Sequence, residues 1–165
     1  MSGVSLDFQV TDHGVRAGFT RLITVMGNTT PVMAAIGTGL VSSTHRRFVS
    51  QTSPDGAKWA PLNPEYRRTK RNSRILTESG RLRDSINARP SSDAVRVGTN
   101  VLYAGVQQGG ATIEPVASTH LVFRMGDGFA FAKSVTIPAR PFLGISEDDE
   151  DMIADTVMVF LRRHT

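Results

Sequence analysis

The stretch Ile75–Ile86, ILTESGRLRDSI, decides most about the fold of this 165-residue chain. Its TESG portion is typical of a helix start, and Leu82 and Ile86 then fall four residues apart on one helical face. We predict a short capped helix here. Two strands are expected directly after it, around Ile86–Arg89 and Ala94–Gly98, so the stretch predicts where helical structure gives way to a sheet.

Upstream of this stretch, the sequence predicts one strand and two helices. Val4–Val10 alternates apolar and polar residues, as a half-buried strand does. A helix is expected from about Thr11 to Met26. A second helix is expected to start at Thr30-Pro31, with the threonine hydroxyl as its cap. Its predicted inward stripe is Met33, Ile36, Leu40, Thr44 and Phe48.

Two glycines interrupt the second predicted helix. Gly37 and Gly39 each lower helix stability by about 1 kcal/mol relative to alanine. We therefore expect another backbone to approach them closely, either within the fold or from a neighbouring subunit.

Downstream, the sequence predicts a hairpin and a terminal helix. Gly126–Gly128 lies between the apolar segments Leu121–Arg124 and Phe129–Ile137, which is a hairpin pattern. Ser146 is expected to cap an acid-rich helix that runs to about Arg163. The order of elements predicts one α+β domain over residues 1–165, with an antiparallel sheet packed against helices and a long extended basic arm at Ser53–Arg74.

Composition limits the classes of protein that the chain can represent. It is 39% hydrophobic and 21% charged and contains no cysteine, which excludes disulfides and thiolate metal sites. We find no signal-peptide pattern and no apolar run near the roughly 20 residues that a membrane helix needs. We expect a soluble protein made in a cytoplasm, without a membrane partner.

Charge is unevenly distributed along the chain. The net charge is +4 and the sequence pI is ≈ 10.1. Cations concentrate in and just after the arm, and acids concentrate in Glu147–Asp151. Such asymmetry is compatible with nucleic-acid binding, and equally with head-to-tail contact between identical subunits.

No catalytic or metal-binding pattern stands out. The four histidines are scattered and no cysteine completes a zinc site. The run Glu147–Asp151 lacks the alternating oxygen ligands and the glycine of a calcium loop. No Gly-Lys-Ser/Thr follows the glycines of the central region, so a phosphate loop is not indicated. We predict a protein that is not an enzyme and has no cofactor.

The arm admits three interpretations: a nucleic-acid binder, a solvated loop, or a segment that orders against a neighbouring subunit. We favour the third, because a tryptophan in a proline-bounded segment suits an interface anchor. The expected contact residues are Trp59, Tyr66, Arg67, Arg68, Lys70, Arg71 and Arg140, with Glu147, Asp148, Asp149, Glu150 and Asp151 as the complementary surface.

Several motifs occur in an order that resembles a known family. They are Phe48–Gln51, the segment PDGAKWAPL at 54–62, Ile75–Ile86, VGTNVLYA at 97–104, and IPARPFLG at 137–144, followed by the acidic helix. In this order they resemble the virion-morphogenesis or tail-completion proteins of tailed bacteriophages. The match runs from about Phe48 to the C-terminus.

The resemblance implies a tail terminator. Such a subunit would form a ring, commonly a hexamer, that completes the tail at the head–tail junction of the virion. Its implied partners are copies of itself, the tail tube protein, a head-completion or connector protein, and the sheath as a further candidate. Genomic DNA would make only passing, nonspecific contact. The alternatives are a neck or head-completion protein on the portal side, and a DNA-binding accessory protein that uses the basic arm.

Overall fold

The computed structural model describes residues 4–7, 28–125 and 128–162. The predicted first helix at 11–26, the end of the first strand at 8–10 and the hairpin turn at 126–127 lie outside these residues. Among the described residues, helices and short antiparallel strands share one α+β fold, which confirms the predicted fold class.

Helix α1 spans Thr30–Ser50, and Pro31 occupies its first turn as predicted. The predicted hydroxyl cap at the helix start is wrong. The Thr30 amide donates instead to the Asn28 side chain at 3.0 Å. The Thr29 hydroxyl donates to the Ser92 carbonyl, so this polar group ties α1 to a distant loop.

Most of the predicted inward stripe of α1 is buried. Met33 is only half-buried, and the neighbouring Val32 takes the buried position at this end of the helix. A buried arginine completes the inward face, whose members are Val32, Ile36, Gly37, Leu40, Ser43, Thr44, Arg47 and Phe48.

A three-stranded antiparallel sheet lies against α1. Its strands are β1 (Val4–Asp7), β2 (Asn87–Pro90) and β3 (Val95–Thr99), in the order β1-β3-β2. The two strands predicted after the 75–86 stretch are therefore confirmed. A Cβ added at Gly37 would lie 2.8 Å from Ala88 Cβ, so the expected close approach occurs within the fold.

Two separate ribbons follow the sheet. Strand β4 (Ala111–Ile113) pairs with β7 (Val135–Ile137), and β5 (Leu121–Met125) pairs with β6 (Gly128–Ala132). The predicted strand over 129–137 is divided, because its first half pairs with β5 and its second half with β4. The described strands thus form three sheets rather than one.

The segment 53–74 is not an extended arm. Ser53–Gly56 closes a turn, in which the Gly56 amide donates to the Ser53 carbonyl at 2.9 Å. Trp59 is buried, with 4% of its surface exposed. Helix α2 (Pro64–Thr69) follows, and the Asn63 side chain caps it. The turn, the buried indole and the helix together hold this segment against the fold.

Three further helices complete the described fold: α3 (Arg81–Asp84), α4 (Ala104–Gly109) and α5 (Glu147–Arg162). Leu82 and Ile86 are both buried as predicted, but the predicted capped helix over this stretch is wrong in two respects: α3 ends at Asp84, before Ile86, and its N-cap residue Gly80 makes no side-chain cap bond. Helix α5 packs on α1 where the Met152 side chain lies over Gly39, so the second glycine is also covered within the fold. None of the described helices is long and apolar enough to span a bilayer.

Candidate functional site

A buried ion pair joins α1 to the start of α5. Arg47 and Asp149 bond directly, and their side chains are 7% and 1% exposed. Arg47 also donates to the carbonyls of Phe142, at 3.2 Å, and Gly144, at 2.8 Å. The guanidinium also donates to the Ser43 hydroxyl at 3.4 Å, and its four partners together offset much of the cost of burying its charge.

Asp149 is held in its charged form by its surroundings. Burial pushes the pKa of the carboxyl up, but hydrogen bonds with Ser43 and Ser146 and the charge of Arg47 outweigh burial, so the pKa lies below its ordinary value. The Ser146 amide donates to the carboxylate at 3.0 Å and the Ser146 hydroxyl at 2.8 Å. The predicted Ser146 cap is confirmed by the Asp149 amide, which donates to its hydroxyl at 3.3 Å.

The segment 140–144 is the centre of a second set of internal bonds. Arg140 donates to the carbonyls of Ala60, at 2.8 Å, and Pro61, at 3.0 Å. The Trp59 indole donates to the Pro141 carbonyl at 2.7 Å. The Trp59 ring also meets Phe48 edge-on, with centroids 5.5 Å apart.

The Gln108 side chain also binds the segment 140–144. Its side-chain oxygen accepts from the amides of Phe142 and Leu143, both at 3.0 Å, and its side-chain nitrogen donates to the Leu143 carbonyl at 2.8 Å. Sequence reasoning missed Gln108 and Arg47. The one available signal was an arginine on the inward stripe of α1, between Thr44 and Phe48.

The structure places the expected contact residues in two groups. Trp59, Arg140 and Asp149 are buried and bind within one subunit. We expected these three residues on a contact surface, but in this fold their side chains lie in the interior. The others lie on or near the surface, in two clusters carried by α2 and α5.

The first cluster is the basic face, defined as Tyr66, Arg67, Arg68 and Arg71, all exposed. Lys70 is different, because its side chain is 4% exposed and is paired with Glu78. Hydrogen bonding from Lys70 is the main cause that lowers the pKa of the Glu78 carboxyl. This pair ties α2 to the 75–86 stretch, so the basic face is anchored to the fold.

The second cluster is the acidic turn, defined as Glu147, Asp148, Glu150 and Asp151, all exposed in the first turns of α5. Carboxylates at a helix N-terminus complement the helix dipole. Because Asp149 faces inward to Arg47, the other four carboxylates point to the solvent side of the helix. The ion pair thereby fixes the direction in which the acidic turn faces.

A shallow cleft of ≈ 240 Å³ adjoins the basic face. Tyr66 and Lys70 line it from α2, and Leu76 and Tyr103 from the opposite side. Among the described residues, no three His, Cys, Asp or Glu side chains are grouped to hold a metal ion. Within the described part of the chain, the arrangement presents charged surfaces suited to binding rather than side chains arranged for catalysis.

The chain belongs to the phage virion morphogenesis family, whose model matches residues 10–162. The family resemblance stated from the sequence is confirmed. This is a family of structural phage proteins, and the chain is not an enzyme.

One curated relative is similar over most of its length. It is the tail completion protein S of Escherichia phage P2, which is 26% identical over 131 residues, covering 79% of this chain and 82% of the relative. No solved structure gives a significant match.

Proposed function

We propose that this protein completes the phage tail by forming a ring, as a tail terminator at the head–tail junction. Membership of the virion morphogenesis family and similarity to a protein named for tail completion support the tail assignment. The observation that supports the ring is the exposure of a basic face in and just after α2 and of an acidic turn on a different element, α5. Different patches that bind each other between copies make a heterologous contact, which closes into a ring when the rotation permits.

Electrostatic matching gives this contact its orientation. The basic face presents three arginines and the acidic turn four carboxylates, so a head-to-tail arrangement brings unlike charges together. The buried pair of Arg47 and Asp149 holds α5 against α1, and the pair of Lys70 and Glu78 holds α2. Both surfaces are therefore presented in fixed directions before subunits meet.

The ring would be a hexamer that sits on the last ring of the tail tube. Its partners in this proposal are the tail tube protein on one side and a head-completion or connector protein on the other, with the sheath as an outer neighbour. DNA passing through the ring would make nonspecific contacts only. A neck protein on the portal side of the same junction is the alternative within virion assembly.

The alternative outside virion assembly is a DNA-binding accessory protein. Exposed arginines beside Tyr66 favour it, since cations bind phosphates and an aromatic ring stacks on bases. Burial of Trp59 weakens it, because the second aromatic of the segment is not available for stacking. DNA affinity that falls steeply with salt would support this alternative.

Charge reversal tests the proposed function. The double variant Arg67→Glu/Arg71→Glu should fold normally but fail to restore infectious particles to phage that lack the protein. Arg46→Glu/Arg89→Glu, also at exposed positions, is the control with the same change in charge. Tails of runaway length are the expected defect.

A compensating variant sharpens the test. Adding Asp148→Lys/Asp151→Lys to the charge-reversed chain makes the acidic turn neutral overall, which removes its repulsion of the reversed face, so assembly should return in part. If Arg67→Glu/Arg71→Glu completes tails as well as the control does, the basic face is not a subunit contact. Normal-length tails with unjoined heads would move the protein to the head side.

A further inference from the structure

The β5–β6 hairpin carries an apolar face that no other described element of the chain covers. Strand register places Val122 opposite Phe131 and Arg124 opposite Phe129, so these four side chains share one face. Val122, Phe129 and Phe131 are 58%, 72% and 69% exposed. A contiguous exposed patch with two phenylalanines on a short ribbon is typical of a binding surface.

A surface of matching chemistry exists on α5. Asp151, Asp155, Met158 and Val159 follow one another at helical spacing and form one stripe. Met158 is 49% exposed and Val159 47% exposed. Both patches stay exposed in the subunit, so they do not cover each other within one chain.

We propose that the hairpin face of one subunit docks on the α5 stripe of a second copy of this chain, with Val122, Phe129 and Phe131 against Met158 and Val159. Arg124, on the same hairpin face, would then lie beside Asp155 or Asp151. Burial of the apolar side chains at the centre stabilises the contact. The unlike charges at its edge fix the register of the two copies.

Continuity with the proposed ring contact supports this choice of partner. Strand β5 lies beside α2, the helix that carries the basic face. The acidic turn and the Met158 patch lie on one helix, about 12 Å apart at 1.5 Å per residue. The same neighbour can therefore receive the basic face at the start of α5 and the hairpin near its end. The inference rests on the proposed ring and deepens it by naming a second, apolar part of the contact.

Cysteine cross-linking tests the docking directly, because the native chain has no cysteine. Tails are assembled with an equal mixture of Phe131→Cys and Met158→Cys subunits and treated with a short bismaleimide. The expected product is a dimer that joins position 131 to position 158 and is identified by mass spectrometry. The control replaces Met158→Cys with Val116→Cys, whose native residue is fully exposed outside both patches.

Charge reversal adds a second readout. Arg124→Glu should lower the yield of the 131–158 product roughly tenfold or more, since like charges brought together cost several kcal/mol. Asp155→Arg in the same chain should restore it. Cross-linking of 131 to 158 in tails, above the Val116 control and sensitive to this reversal, supports the contact.

Yields equal to the Val116 control in assembled tails would overturn the docking. A product that joins 131 to 131 in preference would also overturn it, because the hairpins would then meet each other. In either case, cross-linking variants that still complete tails leave the proposed function intact. If the protein is absent from tails altogether, the proposed function fails first, and the docking fails with it.

Discussion

Arg47 donates a hydrogen bond to Asp149 inside the fold, although 102 positions separate the two residues. The bond links the last turn of the longest described helix to the first turn of the terminal helix. Through it, the direction of the acidic turn is set by a residue on another element. The first two predictions concern this pair.

Removing one member of the pair should destabilise the protein strongly. Arg47→Met leaves Asp149 buried without its cation, so we expect the free energy of unfolding to fall by about 3–5 kcal/mol. Urea denaturation of purified protein measures it. Arg46→Ala changes the adjacent, exposed arginine and should cost no more than about 0.5 kcal/mol. Equal losses in the two variants would show that the buried pair is not a stabilising element.

The pair should also make stability depend on pH. The pKa of Asp149 is depressed in the folded state, so its contribution is complete above the unfolded value of about 3.9 and is lost as pH falls through the folded value. The difference in unfolding free energy between wild type and Asp149→Asn should therefore be largest near neutral pH and narrow in strong acid. A difference that stays constant over this range contradicts the assignment.

Trp59 should act as a core residue rather than as a contact between subunits. Trp59→Ala removes a buried ring and is expected to cost about 3–5 kcal/mol of unfolding free energy. Trp59→Phe keeps a ring but loses the bond to the Pro141 carbonyl, so it should cost less. Tyr66→Ala, at an exposed position, is the control. A stable Trp59→Ala protein that fails only in assembly would return Trp59 to the subunit contact.

The two glycines of α1 should respond differently to alanine. Alanine at Gly37 would place its Cβ 2.8 Å from Ala88 Cβ, which cannot move without the strand. Overpacking of about 1–3 kcal/mol should exceed the helix gain of about 1 kcal/mol. At Gly39 the nearest atoms belong to Met152, a flexible side chain that can turn away, so Gly39→Ala should be close to neutral. Thermal denaturation compares the two, and equal melting temperatures would contradict this reading of the contacts.

Local patterns predicted much of the fold. The start of α1, the strands after Ile75–Ile86, the hairpin over 121–132 and the Ser146 cap each depend on residues close in sequence. A close approach at Gly37 and Gly39 was also expected from the sequence, but the nearest atoms belong to side chains, Ala88 at Gly37 and Met152 at Gly39, rather than to another backbone. Only the structure could say that the approaching groups belong to the same chain.

The long-range contacts could not be predicted in the same way. Asp149 stands within five consecutive acids, and no local feature marks it as the one that turns inward. Its direction depends on Arg47, whose partner lies on a different helix. Trp59 was assigned to a contact surface for a similar reason. Its hydrogen-bond partner, the Pro141 carbonyl, is 82 positions away in the sequence, so no local pattern indicates that the indole is buried. The sequence shows which residues have polar side chains, but it does not show which of those side chains are buried in the core.

The central claim is that the protein lies at the end of the tail that joins the head. Electron microscopy of purified virions with a label at the C-terminus tests this claim most directly. The proposed function predicts label in one cluster at the head–tail junction and none along the tail shaft. Label distributed along the tail or at its far tip, or virions without any label, would contradict it.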